Sequence, residues 1–358
     1  MIEIHSPECD QLSEMIRLGK CYYCSLRLVL AMLAIIAHEA LSFPQFFQVT
    51  KAAQYGMQPE KYTALTEDGY QLVMYRMMPK SSSRGLVLLQ HGIRQSSADW
   101  LKINQNLPKQ LLSAGMEVWL GNSRASLESA GHTYLNKDST EFWDFSFHEI
   151  GYYDLAAMID TALARSKRNK LHLVAYSEGS TAALTLLSER PSYNAKVASL
   201  NLIAPATFLG NSHVRGLATL LYRLRLLLPW SLQKLVTGSD EPYENSPKQL
   251  EHFQQLLVTG RFHQYDYGFW DNQKRYGGDN PPPYSLWRVT APVTLHVGGA
   301  DRVVHPKDVR KLARQLHRSS SVRMIQHERF DHRDFLSLPD AAREVYPRIT
   351  SAIMQRLR

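Results

Sequence analysis

One serine stands at the junction of two unlike stretches. Leu171-His172-Leu173-Val174-Ala175-Tyr176 is apolar and β-prone, Ser177-Glu178-Gly179 follows, and Ala182-Ala183-Leu184-Thr185-Leu186-Leu187 favours a helix. A strand, a sharp turn with serine at its apex and a helix together make a reactive hydroxyl possible. The turn lifts the serine oxygen clear of the sheet. It frees the N–H of the next residue, Glu178, to hold a negative oxygen, and the helix N-terminus adds positive potential there. Small residues on both sides let strand and helix approach. Gly179 fits, while Ala175 stands where a further glycine is usual. An ordinary strand-to-helix N-cap would also use a serine, so two partners are needed to separate the readings: a base and a group to orient it.

Candidates for both lie downstream. Val297-Gly298-Gly299-Ala300-Asp301 ends a predicted strand in a glycine turn with an acid beyond it. Phe330-Asp331-His332-Arg333-Asp334-Phe335 follows the last predicted strand. Ser177, Asp301 and His332, in that order and each past the C-terminal end of a strand, follow the chain order of α/β-hydrolases. His327 competes for the role of base, being just past the same strand. His332 is preferred because a loop must reach back over the serine. Asp301 has a competing reading as a loop acid or helix cap near Pro306. A second oxyanion donor is expected after the Leu86–Gln90 strand, where His91-Gly92 positions the N–H of Ile93. The Glu178 side chain looks out of place, because an anion would sit near a developing oxyanion. Only its N–H need face that oxygen, and a carboxylate in the first turn of a helix is favourable.

The elements that must carry these residues follow from periodicity. Tyr62–Thr66 and Tyr70–Met77 flank Asp68-Gly69, a hairpin signal. Gly85–Gln90, Met116–Leu120, Leu171–Tyr176, Val197–Ile203, Val293–Val297 and Val322–Gln326 read as strands. Helical stretches fall between them, around Pro108–Ala114 and over Ile150–Ala164, and a final helix is predicted over Asp340–Gln355. Alternation of this kind predicts an α/β fold, a mostly parallel central sheet with helices on both faces. Residues 206–288 break the rhythm. Leu217–Leu228 and Pro247–Val258 read as helices, and an aromatic stretch from Tyr265 to Trp287 follows, so this segment is expected to be an inserted helical cap. It enters where an open parallel sheet has its ligand crevice. The expected domains are thus 43–205 and 289–358 for the core, 206–288 for the cap and 1–42 for a leader.

That leader reads as a secretion signal: Arg17, Lys20 and Arg27, then the apolar run Leu28–Ala37, then Ala40-Leu41-Ser42 as a cleavage site. Met15 is an alternative start, and an uncleaved anchor or buried helix is the competing reading. The run falls short of the roughly 18 apolar residues of a membrane span. All three cysteines, Cys9, Cys21 and Cys24, lie before residue 42, so a chain starting near Phe43 would hold neither disulfide nor thiol nucleophile. The formal charge of +8 favours anionic surfaces, including lipid interfaces. The basic residues are scattered without an aromatic array, which argues against nucleic acid. No metal, cofactor or stable protein partner is expected.

Several segments together resemble the acid lipases, the gastric and lysosomal enzymes and their insect relatives. They are Tyr62–Tyr70, Leu89–Ile93 with Ser96–Trp100, Val118–Arg124, Glu141–Phe147, Tyr153-Asp154-Leu155 and Tyr265–Gly268. The resemblance covers about residues 44 to 352. It implies an α/β-hydrolase core with a cap, acting on neutral-lipid esters. It implies Ser177 as nucleophile, Asp301 and His332 as its partners, and the Ile93 and Glu178 amides as oxyanion donors. Two departures stand out. The family usually has Gly-His-Ser-Gln-Gly where this chain has Ala175-Tyr176-Ser177-Glu178-Gly179, and the cap is cut down after Asp240. No Asn-x-Ser/Thr sequon occurs, so the expected destination is extracellular, with the lysosome as the alternative. The expected activity is a secreted serine ester hydrolase. Rival readings are a carboxylesterase for small esters and a non-catalytic lipid-binding protein on the same fold.

Overall fold

The computed structural model describes residues 52–53, 55–126, 128–129, 131–216, 219–220, 246–317 and 321–357. The chain divides into residues 1–44 and 45–358. The expected leader with its cysteines, and nearly all of the first cap helix, lie outside the described residues.

The fold is an α/β-hydrolase sheet built outward from a hairpin. Strands β1 (Glu60–Leu65) and β2 (Tyr70–Met77) pair antiparallel, as Asp68-Gly69 predicts. Gly69 closes the turn at φ +98°, a conformation L side chains rarely adopt, and its N–H donates to the Thr66 carbonyl at 3.0 Å. In chain order there follow β3 (Gly85–Gln90), α1 (Leu107–Ser113), β4 (Met116–Gly121) and the two-residue β5 (Gly131–His132). Then come α2 (Ala156–Ser166), β6 (Leu171–Tyr176), α3 (Glu178–Glu189) and β7 (Val197–Ile203). Helices α4 (Pro247–Thr259) and α5 (Phe269–Tyr276) precede β8 (Val293–Gly298), α6 (Pro306–Leu316), β9 (Val322–His327) and α7 (Tyr346–Met354).

The sheet order is β1-β2-β4-β3-β6-β7-β8-β9, with β5 beside β2. Strand β2 runs antiparallel to β1 and β4, and β4, β3 and β6 to β9 run parallel. Every residue of β3, β4 and β6 is buried, which is what helices on both faces require of a parallel sheet. The chain moves from β3 to β4 on one side and returns to β6 on the other. The crevice past the ends of β3 and β6 is therefore the topological switch point, where open sheets hold ligands.

Two helices differ from expectation. The segment predicted as one helix over 150–164 enters through Phe147–Glu149 and a π-helical stretch, Ile150–Leu155, before α2. Gly151 explains how this turn packs: a Cβ there would lie 2.5 Å from the Ala182 carbonyl oxygen on α3. The predicted terminal helix over 340–355 breaks at Val345 into Ala341–Glu344 and α7. Pro347 lacks the N–H that a continuous helix would use, so it serves in a first turn instead.

Candidate active site

Ser177 follows β6 directly and has φ 51° and ψ −116°, a left-handed conformation costly for any residue but glycine. The surroundings enforce it. Its N–H donates to the Ile203 carbonyl at the end of β7, and Ser180 Oγ donates back to the Ala175 carbonyl at 2.8 Å. Gly179 sits against the loop after β3. A Cβ there would come within 2.5 Å of the His91 carbonyl oxygen and 2.8 Å of that of Gln90. Glycine is thus required at this side of the turn, whereas Ala175, fully buried, is accommodated at the other.

The three predicted side chains meet in one hydrogen-bonded line. Ser177 Oγ lies 2.9 Å from His332 Nε2, and His332 Nδ1 lies 2.9 Å from Asp301 Oδ2. Asp301 is buried, and its other oxygen accepts the N–H groups of Val303 at 2.9 Å and Val304 at 2.7 Å. That arrangement fixes the carboxylate and aims it at the imidazole. Gly298, at the end of β8, makes the close approach possible, since a Cβ there would lie 2.2 Å from the Phe330 carbonyl oxygen on the histidine loop. The loop is pinned by Asp331, whose Oδ1 accepts from the His332 and Arg302 N–H groups. Tyr176, beside the serine, donates its hydroxyl to the His332 carbonyl at 2.8 Å. His327 faces elsewhere. It lies 3.4 Å from His296, and burial pushes it down to about 4.

The loop after β3 is equally fixed. His91 is buried and pushed toward its neutral form by that burial. It takes the N–H of Ser123 on Nε2, so Nδ1 carries the proton and donates to the Gly92 carbonyl at 2.8 Å. Gly92 abuts the serine: a Cβ there would be 3.1 Å from Ser177 Cβ. Among the described residues, no protein acceptor takes the N–H of Ile93 or of Glu178.

Glu178 departs from the sequence reading. Its carboxyl does not sit as a solvated anion in the first turn of α3. It is 3% exposed, and burial pushes it up to about 8. Its Oε1 lies 2.5 Å from Gln249 Nε2 on α4. Desolvation here outweighs the helix dipole.

Sequence reasoning found no role for Gln249 and none for Tyr176 as a prop. It also left the Arg124 cluster unexplained. The buried Arg124 guanidinium grips Asp68 of the hairpin with two nitrogens at 2.7 and 2.8 Å. Arg124 also reaches Asp154 of the π stretch through Nε and its own N–H, both at 2.8 Å, and lies 3.8 Å over the Tyr70 ring. All three charged residues lie in segments that carry the acid lipase resemblance, which was the available signal.

A serine hydroxyl on a strained turn, an imidazole and a buried carboxylate in line are the parts of nucleophilic acyl transfer, and the sheet holding them has the α/β-hydrolase order. The chain belongs to the α/β hydrolase fold family, whose model matches residues 85–335, and the partial α/β-hydrolase lipase region matches residues 49–104. It is 32% identical to Lipase 1 of Drosophila melanogaster, over 84% of this chain and 78% of that one. It is 28% identical to human gastric triacylglycerol lipase, over 84% and 89% respectively. Among solved structures, it matches an esterase of Pyrococcus furiosus with TM-score 0.53 and 16% identity, covering 85% of this chain and 95% of that one. A monoglyceride lipase of Saccharomyces cerevisiae matches with TM-score 0.55 and 16% identity, covering 83% and 95%. These last two likenesses concern the fold.

Proposed function

We propose that the chain is a carboxylic ester hydrolase of the lipase type, working through Ser177, His332 and Asp301. The observation that carries this reading is the line from Ser177 Oγ through His332 to Asp301, with both contacts at 2.9 Å. The Ser177 hydroxyl attacks the ester carbonyl while its proton passes to His332 Nε2. Asp301 holds the imidazole in the needed tautomer and stabilises the imidazolium. The Ile93 and Glu178 N–H groups hold the tetrahedral oxyanion. His332 then gives its proton to the leaving alcohol. Water, activated by the same imidazole, releases the acid and restores the serine. The substrate class is neutral-lipid ester, consistent with the gastric triacylglycerol lipase and the other lipases the chain resembles.

The segment 206–288, which holds α4 and α5, is read as the cap, with 43–205 and 289–358 as the core. The leader at 1–42 is read as a secretion signal, and N-terminal sequencing of exported protein should find a start near Phe43. Among the described residues, no helix is long and apolar enough to cross a membrane. The deciding experiment is labelling with an ester-like phosphonate. Wild type should be labelled at Ser177 and Ser177→Ala should not. Labelling that persists in the variant overturns the assignment. An unlabelled wild type that still binds lipid would favour a non-catalytic carrier.

A further inference from the structure

Glu178 and Gln249 are 71 positions apart, one on the serine turn and one on α4, and both are buried. Helix α4 is docked independently at several points. Ser246 Oγ caps its Gln249 N–H and donates to the Phe145 carbonyl, His252 Nδ1 lies 3.1 Å from Ser146 Oγ, and Lys248 pairs with Asp144 at 3.0 Å. Gln249 is therefore presented to Glu178 by a fixed element.

We propose that Glu178 acts in its un-ionised form as a positioning residue, locked to Gln249, and that losing its proton slows acyl transfer at Ser177. This rests on the reading of Ser177, His332 and the Glu178 amide given above.

Three observations support it. First, the 2.5 Å separation is short for N–H···O and ordinary for O–H···O. Turning the Gln249 amide over puts its oxygen there. That oxygen is otherwise buried without a partner among the described residues, and an acid proton on Glu178 would satisfy it. Second, the charged group facing Glu178 from the neighbouring π stretch is another acid, Asp154, itself held by Arg124. His91, on the loop against Gly179, is kept neutral by burial, and Lys248 on α4 is engaged by Asp144. Burial raises the Glu178 carboxyl and Asp154 adds to that; a Gln249 Nε2 donor works against it, and the turned amide removes that opposition. Third, the carboxyl belongs to the residue whose N–H is read as an oxyanion donor. A negative charge there opposes the negative charge that grows on the substrate oxygen, in a site where water does not screen it.

The test is the pH dependence of kcat for a soluble ester, followed in a pH-stat from pH 6 to 10. Wild type should lose about tenfold in kcat between pH 7 and pH 9, as a group titrating near 8 requires. In Glu178→Gln that alkaline limb should vanish, whatever the absolute rate. In Gln249→Leu, which removes the acceptor of the acid proton, the limb should move to lower pH. A structural role alone would lower rates without moving the limb. A wild-type kcat flat from pH 7 to 9, or a limb unmoved in both variants, overturns the proposal. If wild type hydrolyses no ester and Ser177 takes no phosphonate, the hydrolase reading has failed. Urea unfolding then decides the ionisation by itself. Glu178→Gln should gain on wild type steadily from pH 5 to 8, and a constant difference across that range overturns the buried acid.

Discussion

At Ser177 the backbone is already strained before any substrate arrives, and a single hydroxyl hangs on it. Ser177→Ala keeps the same backbone and removes only that oxygen. It should abolish ester hydrolysis while leaving the free energy of unfolding within about 1 kcal/mol of wild type. His332→Ala should cost more than about a thousandfold in kcat, while His327→Ala should leave kcat within a few-fold, because His327 pairs with His296 rather than with the serine. A large loss confined to His327→Ala would move the base. These residues were legible because each follows a strand whose apolar run is easy to read, so chain order alone put them on one edge. Gln249 was not legible. Its partner is set by how α4 docks, and nothing within α4 itself distinguishes Gln249 from Gln254. The burial of the Glu178 carboxyl was missed for the same reason, since burial is a tertiary property.

At the scale of elements, strand and helix contacts are set by glycines whose missing Cβ leaves room for a neighbouring carbonyl. Gly179→Ala would force α3 away from the loop after β3, where both clashing atoms are backbone. It should destabilise the protein by about 1–3 kcal/mol or more in urea unfolding, and should lower kcat further by shifting the Glu178 N–H. Gly298→Ala should do the same to the contact between β8 and the histidine loop. An unchanged urea midpoint in either variant would refute the packing argument. The strands other than the two-residue β5 were read to within a residue or two of their ends, the buried β3, β4 and β6 because full burial leaves apolar runs. The π stretch was invisible: its apolar spacing resembles that of an α-helix, and only the packing of Gly151 against α3 and the Arg124–Asp154 contact distinguish it.

Over the whole molecule, buried histidines set the response to acid. Burial pushes His172 and His327 down to about 4 and His296 to about 3, and also lowers His91, His252 and His263. Each is neutral in the fold. Their contribution is present above the ordinary histidine value near 6.5 and is lost as pH falls toward 4, because the unfolded chain takes up protons that the folded chain refuses. Glu128, Asp154, Glu178 and Glu189 run the other way, since burial raises each and favours the fold at low pH, but they are four against six. The thermal midpoint should therefore peak near neutral pH and fall steeply below pH 6. A midpoint that rises on acidification would refute this and favour a lysosomal enzyme.

Each CH₂ of an acyl chain withdrawn from water contributes about 0.8 kcal/mol, so a long chain needs a long apolar wall. On the sequence reading of a cap shortened after Asp240, a stretch outside the described residues, kcat/KM for p-nitrophenyl esters should stop rising well before palmitate. A continued rise, with triolein the best substrate, would indicate a full-length acyl tunnel.

Strands β7 and β8 lie side by side and parallel, so the sequence need only cross once between Ile203 and Val293. One helix suffices for such a crossing. This chain uses residues 204–292 instead, and Asp301 and His332 come only after it. The excursion behaves as a cassette. Its two ends continue strands β7 and β8, which pair with each other directly, while Asn211 and His213 near its start bond to Asp308 and to the Arg302 carbonyl. On the reading of 206–288 as the cap, substrate range and chemistry would lie on separate stretches of the chain. The Glu178–Gln249 contact is a point where the two stretches must still agree.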